Sequence, residues 1–219
     1  MLGTKNSTSD LSNKYAILDF IQFCYKNIYK AKNTDYHNFF QHYHLNFDSS
    51  EELQYEFRSE VNNIFERNGI VFFIDENGEI KRSLAPKMES MINKIYNTKD
   101  DRLNELVHLA NNKFVLPNYE DRIHALEKIW DAFERVKTYY GESKKQSAEQ
   151  LIHTIANSNS KFKKIINEES KSLTNIGNNF QIRHFERGKI EISDNQHIDY
   201  LFYRMITLIH LFLTKLEQD

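Results

Sequence analysis

Four basic side chains crowd into seven residues: Arg183, His184, Arg187 and Lys189, with Glu186 among them. A guanidinium offers a two-pronged fork to phosphate, and an imidazole moves a proton near neutral pH. Together they could grip a phosphodiester and shift a proton on it. Glu186 could instead quench that charge in a structural ion pair. The cluster lies in a polar loop over 177–194, which also carries the amide of Asn178. Loops held by a rigid scaffold are where function tends to sit. A second concentration of charge precedes it, with Asp131, Glu134, Arg135 and Lys137 around Trp130 and Phe133. Its plain reading is a solvated helix face with intrahelical ion pairs. Its functional reading makes Lys137 a further phosphate ligand and gives Arg183 a carboxylate partner in Asp131 or Glu134, because a charged guanidinium near a core must be paired.

Other reactive side chains are less telling. His37, His42 and His44 lack the paired cysteines or the helical H-E-x-x-H spacing of a metal site. They read as surface or half-buried histidines in an aromatic segment. Cys24 falls on an apolar stripe and reads as a small core residue. No P-loop, G-x-S-x-G elbow or G-x-G-x-x-G fingerprint occurs. Neither a metal nor a cofactor is expected.

The elements that must position these groups are mostly helices. Only 6 Gly and 2 Pro in 219 residues leave few breakers, while 16 Phe and 12 Tyr demand a core. A first helix is expected over 12–30, with Ile17, Phe20, Ile21, Cys24 and Ile28 inward. Residues 35–47 form an aromatic run that fits neither period. Ser49 and Glu52 suggest a capping box for a second helix ending near Asn68 and Gly69. Asn77-Gly78 between β-branched runs predicts a β-hairpin over 70–82. Beyond Pro86 the chain reads helical throughout. Asn118 is expected to cap a helix bearing Ile123, Leu126, Trp130, Phe133, Val136 and Tyr140. Ser147 with Gln150 is expected to cap the next, and Ser193 or Asp194 the last. Four apolar stripes, over 118–140, 147–157, 160–176 and 194–216, should share one core that buries Trp130, Phe133, Leu151, Ile166, Leu201 and Met205. The fold class is therefore mainly α, with a helical N-terminal region (1–116) containing one β-hairpin and a four-helix bundle (117–219) divided from it at Pro117.

A formal charge of −2 gives no global pull towards nucleic acid. A winged-helix reading of the hairpin fails on charge. The helix before it carries Glu51, Glu52, Glu56, Glu60 and Glu66 against Arg58 and Arg67, which would repel phosphate. The polar N-terminus lacks the apolar stretch of a signal peptide. The uncharged run over 205–214 is too short to span a bilayer. A single cysteine fits a reducing compartment. A cytoplasmic protein without membrane contact is expected.

Three strings, ALEKIWDAFERVKT over 125–138, LTNIGNNFQIRHFERGK over 173–189 and DYLFYRM over 199–205, resemble the C-terminal region of abortive-infection, HEPN-like bacterial proteins. The resemblance covers about residues 118–219. It implies a helical bundle, a homodimer and a metal-independent ribonuclease of a toxin or phage-defence system, or an RNA-binding relative of one. The signature of such proteins is an Arg, a polar residue, and a His after four to six intervening residues. Arg183 and His184 match its beginning. Positions 187–190 are Arg, Gly, Lys and Ile, and His197 lies too far on. Two outcomes follow. Either His184 serves as the base, Arg183 stabilises the phosphorane and Arg187, Lys189, Lys137 and Asn178 hold the RNA, or the site is degenerate and the bundle only binds. The second reading, of another class, is a non-catalytic helical module that dimerises or binds a protein partner, one encoded nearby for example. That reading predicts an exposed apolar patch rather than a cationic cleft.

Overall fold

A computed structural model describes residues 8–182 and 188–218. The chain is mainly α, with eight helices and two antiparallel hairpins among the described residues. It divides into two compact units, 1–84 and 85–219. The division falls at Leu84 and not at Pro117, because the helix before Pro117 packs along the helix after it.

The first unit holds α1 (Thr8–Lys26), β1 (Tyr29–His37), β2 (His42–Ser49), α2 (Glu51–Arg67), β3 (Phe72–Ile74) and β4 (Ile80–Arg82). The expected hairpin is β3–β4, paired from Phe72 with Arg82 to Ile74 with Ile80. Asp75 closes its turn by accepting from the amides of Asn77 and Glu79 at 2.9 Å each. Gly78 adopts φ +77, and a Cβ there would fall about 2 Å from the Tyr25 ring. That close approach redefines α1. Its inward positions are Leu18 and Tyr25, with Ile21 packed beside them as expected, while Ile17 and Phe20 face out. The stripe expected from spacing is thus displaced by about a residue, since Tyr25 must lie on the turn and donate to Glu76 O at 3.1 Å. With Phe65, Phe72, Ile74 and Ile80 these two residues make the unit's core.

The expected first helix stops at Lys26. A second hairpin, β1–β2, occupies the aromatic run that the sequence left unassigned. Ser50, not Ser49, then caps α2 by accepting from the Leu53 amide at 3.3 Å.

The second unit holds α3 (Pro86–Ile92), α4 (Asp101–Phe114), α5 (Tyr119–Val136), α6 (Lys144–Ala156), α7 (Ser160–Asn179) and α8 (Asn195–Leu216). Asn118 and Asp194 cap α5 and α8 as expected, their side chains accepting from the amides of Asp121 and Gln196. Ser147 does not cap α6. It is buried inside that helix and accepts from the Tyr140 amide at 2.9 Å. α8 is the central element: it packs on α5 and α6, and its Phe202 ring stacks on Phe114 of α4, 3.8 Å between centroids. Trp130, Phe133, Leu151, Ile166, Leu201 and Met205 are all buried, none more than 8% exposed.

Gly177 of α7 is where backbone and core meet most closely. A Cβ there would fall 2.3 Å from Nε1 of the buried Trp130. In an exposed helix, Gly→Ala stabilises by up to about 1 kcal/mol. Here the indole is hemmed in on all sides, and overpacking costs roughly 1–3 kcal/mol. We expect Gly177→Ala to lower the denaturation midpoint, and a raised midpoint would show that the indole moves aside freely.

Candidate functional site

The residues singled out in the sequence meet different fates. Arg183, His184, Glu186 and Arg187 lie outside the described residues. Lys137 is turned inward between α5 and α7, its side chain 12% exposed. Its ammonium meets the Glu134 carboxylate, donates to Thr174 Oγ1 at 3.3 Å and sits 4.3 Å from the centre of the Phe133 ring. Glu134 receives Lys144 as well. Burial alone would raise the Glu134 carboxyl, but hydrogen bonds from Lys137 and Lys144 outweigh it and hold it below the ordinary carboxylate range. Asp131 lies 3.6 Å from Lys128. Asn178 is exposed near the end of α7, and Lys189 is half-buried, its carbonyl accepting from Gln181 at 3.1 Å.

The pairing expected of Arg183 lies outside the described residues, while a buried, carboxylate-bound arginine is present at Arg122. Its side chain is 8% exposed, pairs with Asp199 of α8 and donates to Asn195 O at 2.6 Å. Tyr119 adds a bond to Ile192 O at 2.6 Å. The start of α5 is thereby fastened to the start of α8.

His37, His42 and His44 do come together, on one face of the β1–β2 hairpin, with ring centroids 5.5–5.7 Å apart. Among the described residues no group of three His, Cys, Asp or Glu is placed to hold a metal ion.

A sizeable concavity lies elsewhere. A groove of about 900 Å³ runs between α7 and α8 and is closed at one end by α3. It arises because α8 carries two apolar stripes. Ile198, Phe202, Met205, Ile209 and Phe212 enter the bundle core. Tyr200, Tyr203, Thr207, Leu211 and Thr214, at the same helical spacing on another side, line the groove. α7 faces them with Phe162, Ile165 and Ile166, and α3 contributes Met91. Ile165 and Tyr200 are each 59% exposed.

Two polar groupings flank this floor. Arg204 grips Glu169 with Nε at 3.1 Å and Nη2 at 2.9 Å, and Nη2 also reaches Ser172 Oγ at 3.3 Å. The guanidinium lies 5.6 Å from the centre of the Tyr200 ring. The pair is charge-neutral and mutually satisfied. Towards the other end, Tyr96 OH lies 2.6 Å from His210 Nδ1. Burial first, and the nearby Lys94 ammonium second, hold His210 below its usual pKa, with Glu217 opposing. Burial likewise pushes the Tyr96 phenol up. The phenol and the imidazole share one hydrogen bond. The arrangement is suited to binding an apolar surface, with polar groups fixing its orientation.

These groove residues escaped the sequence reading because Arg204 and Glu169 lie 35 positions apart, on different helices. The legible sign was the second apolar stripe of α8. A helix apolar on several sides must be covered on several sides. Comparison with family models, with curated proteins and with solved structures returns no match.

Two outcomes are expected. Removing the Arg122 guanidinium strands Asp199 in a partly buried place, so Arg122→Ala should cost about 3 kcal/mol, whereas the double change to Arg122→Met and Asp199→Leu should recover most of it; equal losses in chemical denaturation would refute the pairing. For His210 the folded pKa lies below the unfolded value of 6.5. Its contribution is complete above that value and is lost as pH falls, because the unfolded chain takes up the proton first. Melting temperature should drop below pH 6.5 in the native chain, and His210→Asn should lose that part of the slope; an unaltered pH profile would contradict the assignment.

Proposed function

We propose that residues 85–219 form a non-catalytic interaction module whose α3–α7–α8 groove receives an amphipathic helix of a protein partner. The observation that supports this is the groove itself, an exposed apolar trough between two long helices whose flanking charges already satisfy each other. Helix-in-groove recognition needs such a trough, with anchors entering at positions i, i+3, i+4 and i+7 of the incoming helix. Its shape favours a different molecule over a second copy. A two-fold interface needs a self-complementary surface, and a concave groove cannot fill its own image. The Arg204–Glu169 pair adds no net charge, so it favours neither phosphate nor a charged peptide.

A second reading, RNA binding with or without cleavage in a bacterial defence or toxin setting, rests on the HEPN-like strings and on one observation. Phe180 and Ile190, which flank Arg183, His184 and Arg187 in the chain, form a parallel bridge, and Ile182 and Ile192 are buried. Residues that carry function tend to follow such well-held flanks. In the active form His184 would take the ribose 2′-OH proton and Arg183 would stabilise the phosphorane, leaving a 2′,3′-cyclic phosphate without a metal.

A photo-crosslinking side chain at Thr207 of the full chain, expressed in its own host, separates the readings. We expect an adduct to a protein, mapping to the apolar stripe of a helix and lost with Ile165→Glu. Adducts to a second copy of the chain alone, or none, would overturn the groove reading. For RNA, Arg183→Ala and His184→Ala should weaken retention of single-stranded RNA at unchanged melting temperature, and retention equal to the native chain's would dispose of that reading.

A further inference from the structure

The β1–β2 hairpin has two unlike faces. Its register pairs Tyr29 with Ser49, Ala31 with Phe47, Asn33 with Leu45 and Tyr36 with Tyr43, with an irregularity between Asn33 and Tyr36. Because side chains alternate along a strand, Tyr29, Ala31, Tyr36, Tyr43, Leu45 and Phe47 share one face. The Tyr36 and Tyr43 rings meet there, 4.8 Å apart. The opposite face holds His37, His42, His44, Asn46 and the Lys32–Asp48 ion pair. The sequence therefore builds an amphipathic hairpin. Yet its apolar face is bare: Tyr29, Tyr36, Tyr43, Leu45 and Phe47 are each 47–59% exposed. A lone two-stranded hairpin is marginal in water and needs a layer against its apolar side.

We infer that this uncharged face of the β1–β2 hairpin is the surface through which two copies of the chain dimerise. Three observations select a second copy. The face carries no charge, so its own image meets it without repulsion. It is a sheet face, and such faces pack on one another about 10 Å apart, which a two-fold axis satisfies directly. Its five exposed side chains offer on the order of 500 Å² per copy, against the ~800 Å² that each partner gives a standard interface, which fits a reversible dimer. Anionic partners are disfavoured, because 9 Lys and Arg against 12 Asp and Glu leave residues 1–84 three charges negative. Pairing through the strand edges is disfavoured too, by Lys30 and Lys32 and by the irregularity in β1. The inference is independent of the groove.

Sedimentation of the full chain tests it. We expect a dimer at micromolar concentration that survives molar salt, since no ion pair crosses the interface. Tyr43→Glu and Phe47→Glu should each weaken it by more than about tenfold, whereas His44→Glu on the opposite face and Leu211→Glu in the groove should leave it intact. Both hairpin changes sit on exposed positions, and an unchanged melting transition of the first unit confirms that the variant chains are folded. A native chain that stays monomeric, or a dimer indifferent to both hairpin changes, overturns the inference. So does a monomer that binds vesicles containing phosphatidylserine, or a single-stranded RNA, through Tyr43 and Phe47.

Discussion

α8 is apolar on more than one side, and the second unit is organised around covering it. A helix with one apolar stripe is satisfied by one layer of neighbours, as in most bundles. Here the stripe through Phe202, Met205 and Ile209 is fully enclosed, with α5 and α6 packed against the helix. Each such side chain contributes about 1.5–3 kcal/mol when removed from water, so this side alone is enough to fix the position of α8. The other stripe then has no layer left to meet except α7 and the short α3, which stand apart from it. The groove is the geometric remainder of a helix that needs more partners than the unit supplies.

Charge follows the same logic of enclosure. Among the described residues of the second unit, several cations are matched. Arg122 meets Asp199, Lys137 and Lys144 share Glu134, and Arg204 forks onto Glu169. Buried pairs of this kind do little for net stability, since desolvation offsets attraction, but an unmatched member is costly. They therefore act as register pins: α5 is held to α8 at one end by Arg122 and to α7 at the other by Lys137. The consequence for function is that the cations of the α5 face are committed to structure.

What the sequence made legible were features whose physics is local. Asn118 and Asp194 cap their helices through amides two or three residues away, and Asn77-Gly78 turns a hairpin wherever it occurs. What it hid depends on contacts distant in the chain. The inward side of α1 was displaced because Tyr25 lies on Gly78, some fifty residues on. Ser147 had the right chemistry for a cap but was drawn into the core by the Tyr140 amide. The β1–β2 hairpin lacks a Gly or Pro turn and bends instead through Gln41 at φ +51, a left-handed conformation that such a residue rarely adopts. Its first strand, YKAKNTDYH, alternates too weakly to be read without its partner. Of the site, Lys137 and Glu134 were recognisable as charged and paired, but whether they faced solvent or a helix seam was not encoded in their spacing.

The two bare apolar surfaces differ in shape, and shape decides what each can take. The hairpin face is uncharged, so it is compatible with its own image. The groove is concave, so it requires a convex, different partner. A chain that joined a second copy through the first surface would carry two grooves. Two helical segments of one partner, or two copies of it, could then engage together, the second binding event becoming intramolecular and the avidity rising by orders of magnitude without any new contact. That gain depends on the hairpin alone, because the groove is complete within residues 85–219. Weak binding in a single groove would then be no obstacle to stable assembly. In the proposed dimer the exposed aromatics of β1 and β2, which contribute nothing to the core of their own unit, would be the surface that is covered.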